Sequence, residues 1–182
     1  MQRPLAVALT GGIAAGKSEA LRAFERHGAA TISSDEIVHE LIEDDPHVKG
    51  ALLDRYGTTK RSDIAAVVFS NRDELAWLEE LLHPRVVQHY LKWREQQTAP
   101  LAVTEVPLLY ETGGDARFDK VVVITAPKAL REARREPRPD SLETRLLDDK
   151  EKARRADYAY VNTGSLEDLD RFVGSVVEDL TS

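Results

Sequence analysis

Eight consecutive residues near the start of the chain, Gly11-Gly12-Ile13-Ala14-Ala15-Gly16-Lys17-Ser18, have the spacing G-x-x-x-x-G-K-[ST], which cradles phosphate. Gly11 and Gly16 permit turns that a Cβ forbids, and they let the backbone approach an anion closely. The N–H groups from Gly12 to Lys17 can then point inward, and the N-terminus of a following helix adds partial positive charge. Lys17 is placed to reach the β- and γ-phosphates of a nucleoside triphosphate, and the Ser18 hydroxyl to ligate Mg2+.

A phosphate loop does not name a reaction. A GTPase needs D-x-x-G after a strand and a guanine-reading N-K-x-D, and neither is found. A small kinase needs a carboxylate near the phosphoryl acceptor and arginines on a closing segment, and this chain has candidates for both. Asp35 follows an apolar β-type run and can orient or deprotonate an attacking hydroxyl; the same residue type at the same place also suits a helix N-cap. Glu105 ends another such run, where a carboxylate can orient Mg2+ through water or stand as an ordinary strand-end glutamate. Arginines at 131, 134, 135, 138 and 145 form a cluster. Arginine suits a transferring phosphoryl group because its planar fork binds phosphate bidentately and stays charged. Each arginine alone reads equally as part of a solvated face with Glu132, Glu136 and Glu143. His39, His83 and His89 lack metal-ligand spacing with one another.

Positioning these groups takes a sheet. Leu5–Leu9 is an apolar run ahead of the loop, and Ala20, Leu21 and Phe24 follow it at helical spacing. Ala30–Ser33 reads as a second strand, Leu101–Val106 as a third, Lys120–Thr125 as a fourth buried on both faces, and Tyr158–Val161 as a weaker fifth. Between the second and third lies a helical block, with Pro46 opening one helix, Tyr56-Gly57 closing it, helices over Arg61–Phe69 and Asn71–Leu82, a break at His83-Pro84, and resumption over Val86–Gln97. Trp77, Leu78, Leu81 and Leu82 form a packing face. Leu166–Leu180 is the final helix. Strands alternating with helices predict an α/β fold with a doubly wound, parallel, five-stranded sheet.

At 182 residues, with 42% hydrophobic and 31% charged side chains, the chain is sized and composed for one globular domain. Its formal charge of −7 argues against a nucleic-acid-coating role. It has no cysteine, which removes disulfides, thiolate metal sites and a cysteine nucleophile from consideration. No segment has the length and apolarity of a membrane span or of a signal peptide, so a cytoplasmic protein is expected.

Taken together, these segments resemble the dephospho-CoA kinase family over most of the chain. The resemblance rests on Leu9-Thr10-Gly11-Gly12-Ile13 running into Gly16-Lys17-Ser18, and on Ser34-Asp35-Glu36-Ile37-Val38-His39-Glu40-Leu41. It continues through Arg61 and Ile64–Phe69, Leu81-Leu82-His83-Pro84, Val106-Pro107-Leu108-Leu109-Tyr110-Glu111, Ala156-Asp157-Tyr158 and Asn162-Thr163-Gly164-Ser165. It implies a P-loop kinase fold with a core sheet (about 1–34, 98–127 and 157–182), a helical substrate-binding insertion (about 35–97) and a lid (about 128–156). It implies ATP and dephospho-CoA as substrates, Mg2+ as cofactor, transfer to the ribose 3′-hydroxyl, and no nucleic-acid or membrane partner. A monomer or weak homo-oligomer is expected. Asp35 falls on the family's proposed base, and Lys17, Arg131, Arg135 and Arg145 on phosphate-neutralising positions. The nucleotide site would comprise Gly11, Gly12, Ile13, Ala14, Ala15, Gly16, Lys17, Ser18 and Glu19, with Asn162 on a segment near the adenine. Ser18 and Glu105 would serve the metal; His83, Pro107, Leu108 and Glu111 fall, with Asp35, on the acceptor side.

The chain departs from the family's pattern in three places. Ala14-Ala15 replaces the usual Gly-Ser. Glu19 replaces a threonine, which weakens phosphate binding if it points inward and is harmless if it points outward. The stretch from Arg145 to Lys152 is shortened, with Asp149 where glutamine is common. A related kinase with another small acceptor, and a nucleotide-binding regulatory protein without turnover, are the alternative readings.

Overall fold

The computed structural model describes residues 3–134 and 147–182. They divide into two compact units, one of residues 1–33 with 95–182 and one of residues 34–94. The first holds a sheet of five strands: β1 (Leu5–Gly11), β2 (Ala30–Ser33), β3 (Leu101–Glu105), β4 (Lys120–Thr125) and β5 (Tyr158–Val161). All pairings are parallel and the order is β2-β3-β1-β4-β5. β1 is central. The chain leaves it through α1 (Lys17–Arg26) toward β2 on one side, while β4 pairs with its other side. The loop after β1 therefore sits at the carboxyl end of the sheet where the strand order reverses, the place where α/β sheets bind ligands.

The apolar runs of β1 and β4 are buried on both faces, as a parallel sheet requires. On one face Val7, Leu9, Val103, Val122 and Ile124 meet Ala20, Ala23 and Phe24 of α1 and Leu169, Val173 and Val176 of α8 (Leu166–Thr181). On the other, Ala8, Val121 and Val123 meet Leu109 and Tyr110, with Leu147, Ala153 and Ala156 packed around them. This second face is covered by the segment after β3, which includes a short 3-10 turn at Gly114–Arg117, and by α7 (Asp149–Arg155). α6 (Lys128–Arg134) follows β4. β5 pairs only with β4, and its residues alternate half-buried and exposed, the mark of an edge strand.

The second unit is helical: α2 (Ser34–Asp44), α3 (Pro46–Tyr56), α4 (Arg61–Val68) and α5 (Arg72–Glu95). Asp45 caps α3 by accepting from the N–H groups of His47 and Val48, with Pro46 in the first turn, and Gly57 ends it in the left-handed conformation (φ 69°). Ile42, Val48, Leu52, Ile64, Val68 and Leu82 form its core, with Trp77, Leu78 and Leu81 packed against them. Glu74 accepts from Arg55 (2.7 and 3.0 Å) and from the Tyr56 hydroxyl (2.9 Å), while Trp77 meets Tyr56 edge-on.

One sequence expectation is corrected here. His83-Pro84 does not break the helix; α5 runs through it for 24 residues. Pro84 has no N–H to give the Glu80 carbonyl, and the Arg85 guanidinium donates to the adjacent Leu81 carbonyl at 2.6 Å. A side chain thus supports the ladder where proline weakens it, and the packing of the helix face at Leu78, Leu81 and Leu82 carries the helix across.

Phe24 lies fully buried between the sheet and α8. Phe24→Ala is expected to lower unfolding free energy by about 3–5 kcal/mol, read from the shift in urea midpoint at unchanged slope; a loss below about 1 kcal/mol would mean that this face is not the main core.

Candidate active site

The loop is seated in backbone rather than merely draped over the sheet. Gly11 pairs with Ile124, and a Cβ on it would lie 1.9 Å from the Ile124 carbonyl oxygen. Glycine at 11 is thus demanded by β4 beneath the loop, before any phosphate is considered. Gly16 is left-handed (φ 101°), and a Cβ there would lie 2.3 Å from Nδ2 of Asn162. That amide donates to the Ala15 carbonyl at 2.9 Å, and its Oδ1 accepts from the Gly164 N–H at 2.9 Å. The Asn162 N–H donates to the Thr125 carbonyl at 2.7 Å, tying the end of β5 to that of β4. Asn162 is buried and braces the loop from beneath. Ala14 has φ 57°, a conformation that costs a Cβ-bearing residue about 1–2 kcal/mol. The usual glycine at this position escapes that strain, so backbone conformation, not lost side-chain contact, is what Ala14 changes.

The side chains around the loop divide by where they point. Lys17 Nζ donates to the Gly12 carbonyl at 2.8 Å, folded over the loop. Ser18 is exposed. Glu19 takes the outward alternative: it pairs with Arg22 (3.1 Å) and Arg26 (3.2 Å), one and two turns further along α1. Arg26 also pairs with Asp170 of α8 at 2.7 Å, and its guanidinium holds the Asp170 carboxyl below the usual carboxylate range. Glu19 therefore adds its charge to this exposed network instead of to the phosphate site. Glu105 lies in register with Leu9 on one side and Ser33 on the other, at the same end of the sheet. Arg131 lies on α6 with its Nη1 3.5 Å from Asp149 at the start of α7. Arg135 and Arg145, with Arg138, lie outside the described residues.

On the acceptor side, Thr10 Oγ1 donates to the Pro107 carbonyl (3.4 Å), and Pro107 and Leu108 are half-buried. Glu111 turns into the protein. Its Oε1 is 2.8 Å from Nζ of Lys152, whose side chain is fully buried, and accepts from the Leu147 N–H at 2.8 Å. Arg155 lies over the Tyr110 ring (4.1 Å). Glu111 thus fastens α7 to the segment after β3 through Oε1. Burial pushes the Glu111 carboxyl up, but Lys152 and the Leu147 N–H outweigh burial and leave it below the usual carboxylate range. Lys152 was not visible as special in the run Asp148-Asp149-Lys150-Glu151-Lys152. The signal available was spacing: Asp149, Lys152, Ala153 and Ala156 share one helical face.

In the helical unit, Asp35 is exposed in the first turn of α2, two residues after the end of β2. No hydrogen bond or ion pair to its carboxylate is found among the described residues. The capping alternative requires such a bond to an N–H of the first turn. His83 is exposed on α5, while His39 pairs with Glu43 and His89 with Glu40.

A glycine loop between the central strand and a helix of a parallel sheet, with a lysine folded on it, defines the P-loop class of nucleotide-binding folds. The dephospho-CoA kinase family model matches residues 5–168. The chain is 34% identical to a dephospho-CoA kinase of Protochlamydia amoebophila, covering 96% of this chain and 95% of that one. It is 32% identical to that of Bartonella quintana, covering 96% and 97%. A solved Thermus thermophilus structure superposes with a TM-score of 0.85 at 29% identity over the whole of both chains. This chain belongs to the dephospho-CoA kinase family.

The Glu111–Lys152 pair has a pH signature. A carboxyl held below its unfolded value, about 4.3, contributes stability that is present above that value and lost as pH falls through the folded one. Glu111→Gln is therefore expected to flatten the fall in melting temperature below about pH 4. Lys152→Met, which strands the carboxylate, is expected to cost about 3–5 kcal/mol at pH 7. Thermal melts from pH 3 to 7 check both; an acid limb identical in wild type and Glu111→Gln would place the acid-sensitive group elsewhere.

Proposed function

We propose that this chain catalyses ATP-dependent phosphorylation of dephospho-CoA at its ribose 3′-hydroxyl, the last step of coenzyme A synthesis. Family membership carries the acceptor, and the braced loop with Lys17 folded over it carries the phosphate donor. Backbone N–H groups of the loop and the start of α1 bind the donor's phosphates. Lys17 and Arg131 hold charge on the β- and γ-phosphates, assisted by Arg135 and Arg145. The hydroxyl of Ser18 and the carboxylate of Glu105 suit the hard-oxygen donor set of Mg2+, and they would hold it. When bound, the ion supplies charge neutralisation between β- and γ-phosphates.

Asp35 accepts a hydrogen bond from the 3′-hydroxyl and takes its proton as the oxygen bonds to the γ-phosphorus, while the bond from that phosphorus to the β,γ-bridging oxygen breaks and ADP leaves. Its exposed carboxylate, without a partner among the described residues, supports this role better than a cap. The family resemblance assigns His83, Pro107, Leu108 and Glu111, with Asp35, to the acceptor, and residues 128–156 to a lid. Arginines carried by that lid would contribute chiefly by positioning and electrostatic stabilisation. No helix among the described residues is long and apolar enough to cross a membrane, and we assign the protein to the cytoplasm as a monomer or weak homo-oligomer.

The test is ATP-dependent conversion of dephospho-CoA, with product identified by mass. Wild type is expected to yield coenzyme A. Asp35→Asn is expected to lose about 10²–10⁴ of kcat with little change in KM for either substrate, and Lys17→Ala to lose both turnover and ATP affinity. ATP binding without product would reject the acceptor. Full activity in Asp35→Asn would remove that residue from the chemistry.

A further inference from the structure

The contact between Asp149 and Gly12 is not used by the chemistry above. A Cβ built on Gly12 would lie 2.7 and 2.8 Å from the two carboxylate oxygens of Asp149. A full negative charge therefore rests directly against the second glycine of a loop shaped for anions. The same carboxylate has Arg131 Nη1 3.5 Å away, and Arg131 Nε is buried with no hydrogen-bond partner among the described residues. Lys17 Nζ, the other phosphate-directed cation, donates to the carbonyl of that same Gly12. Both cations thus rest on protein oxygens, and the oxygens gather at one residue. Asp149 is only 20% exposed at its side chain, so water screens this charge weakly.

We infer that Asp149 is a built-in competitor for the phosphates of the nucleotide: its carboxylate lies against Gly12 of the phosphate loop and holds Arg131 until ATP displaces it, and so sets ATP affinity below what the loop alone provides. The inference rests on the reading of the loop as the nucleotide site. A nucleotide brings several negative charges onto the N–H groups beside Gly12. Two anions cannot lie side by side at Gly12 without strong repulsion in a partly water-excluded site. Binding must therefore move the Asp149 carboxylate away and exchange it for phosphate on Arg131. The exchange suits an arginine, whose fork accepts carboxylate and phosphate oxygens in the same geometry. Asp149→Asn keeps the shape of the side chain and removes its charge.

The experiment is calorimetric titration of the full chain with ATP, with ADP and with inorganic pyrophosphate, each in EDTA and in excess Mg2+. Wild type, Asp149→Asn and Glu151→Gln are compared. Glu151 lies on the same helix and pairs with Arg154 at 2.7 Å, so its variant makes the same change in net charge away from Gly12. Melting temperatures confirm that all three are folded. Asp149→Asn is expected to tighten ATP and pyrophosphate about five- to tenfold in EDTA, and less in Mg2+, where the metal offsets part of the phosphate charge. Glu151→Gln is expected to change affinity less than twofold. Unchanged affinity in Asp149→Asn, or equal tightening in both variants, would overturn the competitor role. Weaker ATP binding in Asp149→Asn only when Mg2+ is present would overturn it in favour of a metal-supporting carboxylate. Absence of ATP, ADP and pyrophosphate binding in every form, with all folded, would overturn the nucleotide site and the inference together.

Discussion

The absence of room beneath the phosphate loop is the constraint on which the rest depends. Gly11 lies against the backbone of β4, and Gly16 against the Asn162 amide. Those neighbours are the carboxyl ends of two strands, so the loop's path is set by the sheet and by one buried asparagine. The loop backbone that would meet a phosphate is held in position by its contacts with β4 and Asn162. Such an arrangement is preorganised, since the backbone need not reorganise to receive an anion. The left-handed Ala14 stores a small strain within this frame, which the bracing on either side allows it to keep.

A second layer of charge is arranged around that frame. Glu19, which on sequence grounds could have faced the phosphates, is drawn down α1 by Arg22 and Arg26. Asp149, with no such partner further along its helix, sits on the loop and on Arg131. Glu111 is held by a fully buried lysine and by the N–H of Leu147. The three carboxylates differ in what their nearest cations allow. Two are neutralised away from the loop, and one is neutralised upon it. The Glu111–Lys152 contact also fixes α7, and through it the place of Asp149.

Much of the architecture was legible as pattern. Continuous apolar runs at Leu5–Leu9 and Lys120–Thr125 read as buried strands, and the loop's spacing fitted a strand before it and a helix after it. The helical block was legible for the same reason, since its apolar residues recur at helical intervals. The misreading at Pro84 shows the limit of local rules. Proline weakens a helix by a definite amount, but the carbonyl support from Arg85 and the packing of the helix face lie outside any rule about one residue. α7 was missed because six of its seven residues, Asp149 to Arg155, are charged and show no apolar period.

By itself, the sequence determined the strand types, the phosphate loop and, through the combination of its motifs, the family. These depend on covalent spacing and on the period of apolar residues, which are local properties. Tertiary structure alone decided which side chain each charge meets. Asn162 lies 147 residues from the carbonyl it supports, Glu111 is paired by Lys152, and Gly12 is met by Asp149. Nothing in the residue types distinguishes Lys152 from Lys150, or Asp149 from Asp148. The difference is the direction each takes from its helix once α7 packs on the sheet, because electrostatic energy depends on distances and burial that exist only in the folded chain.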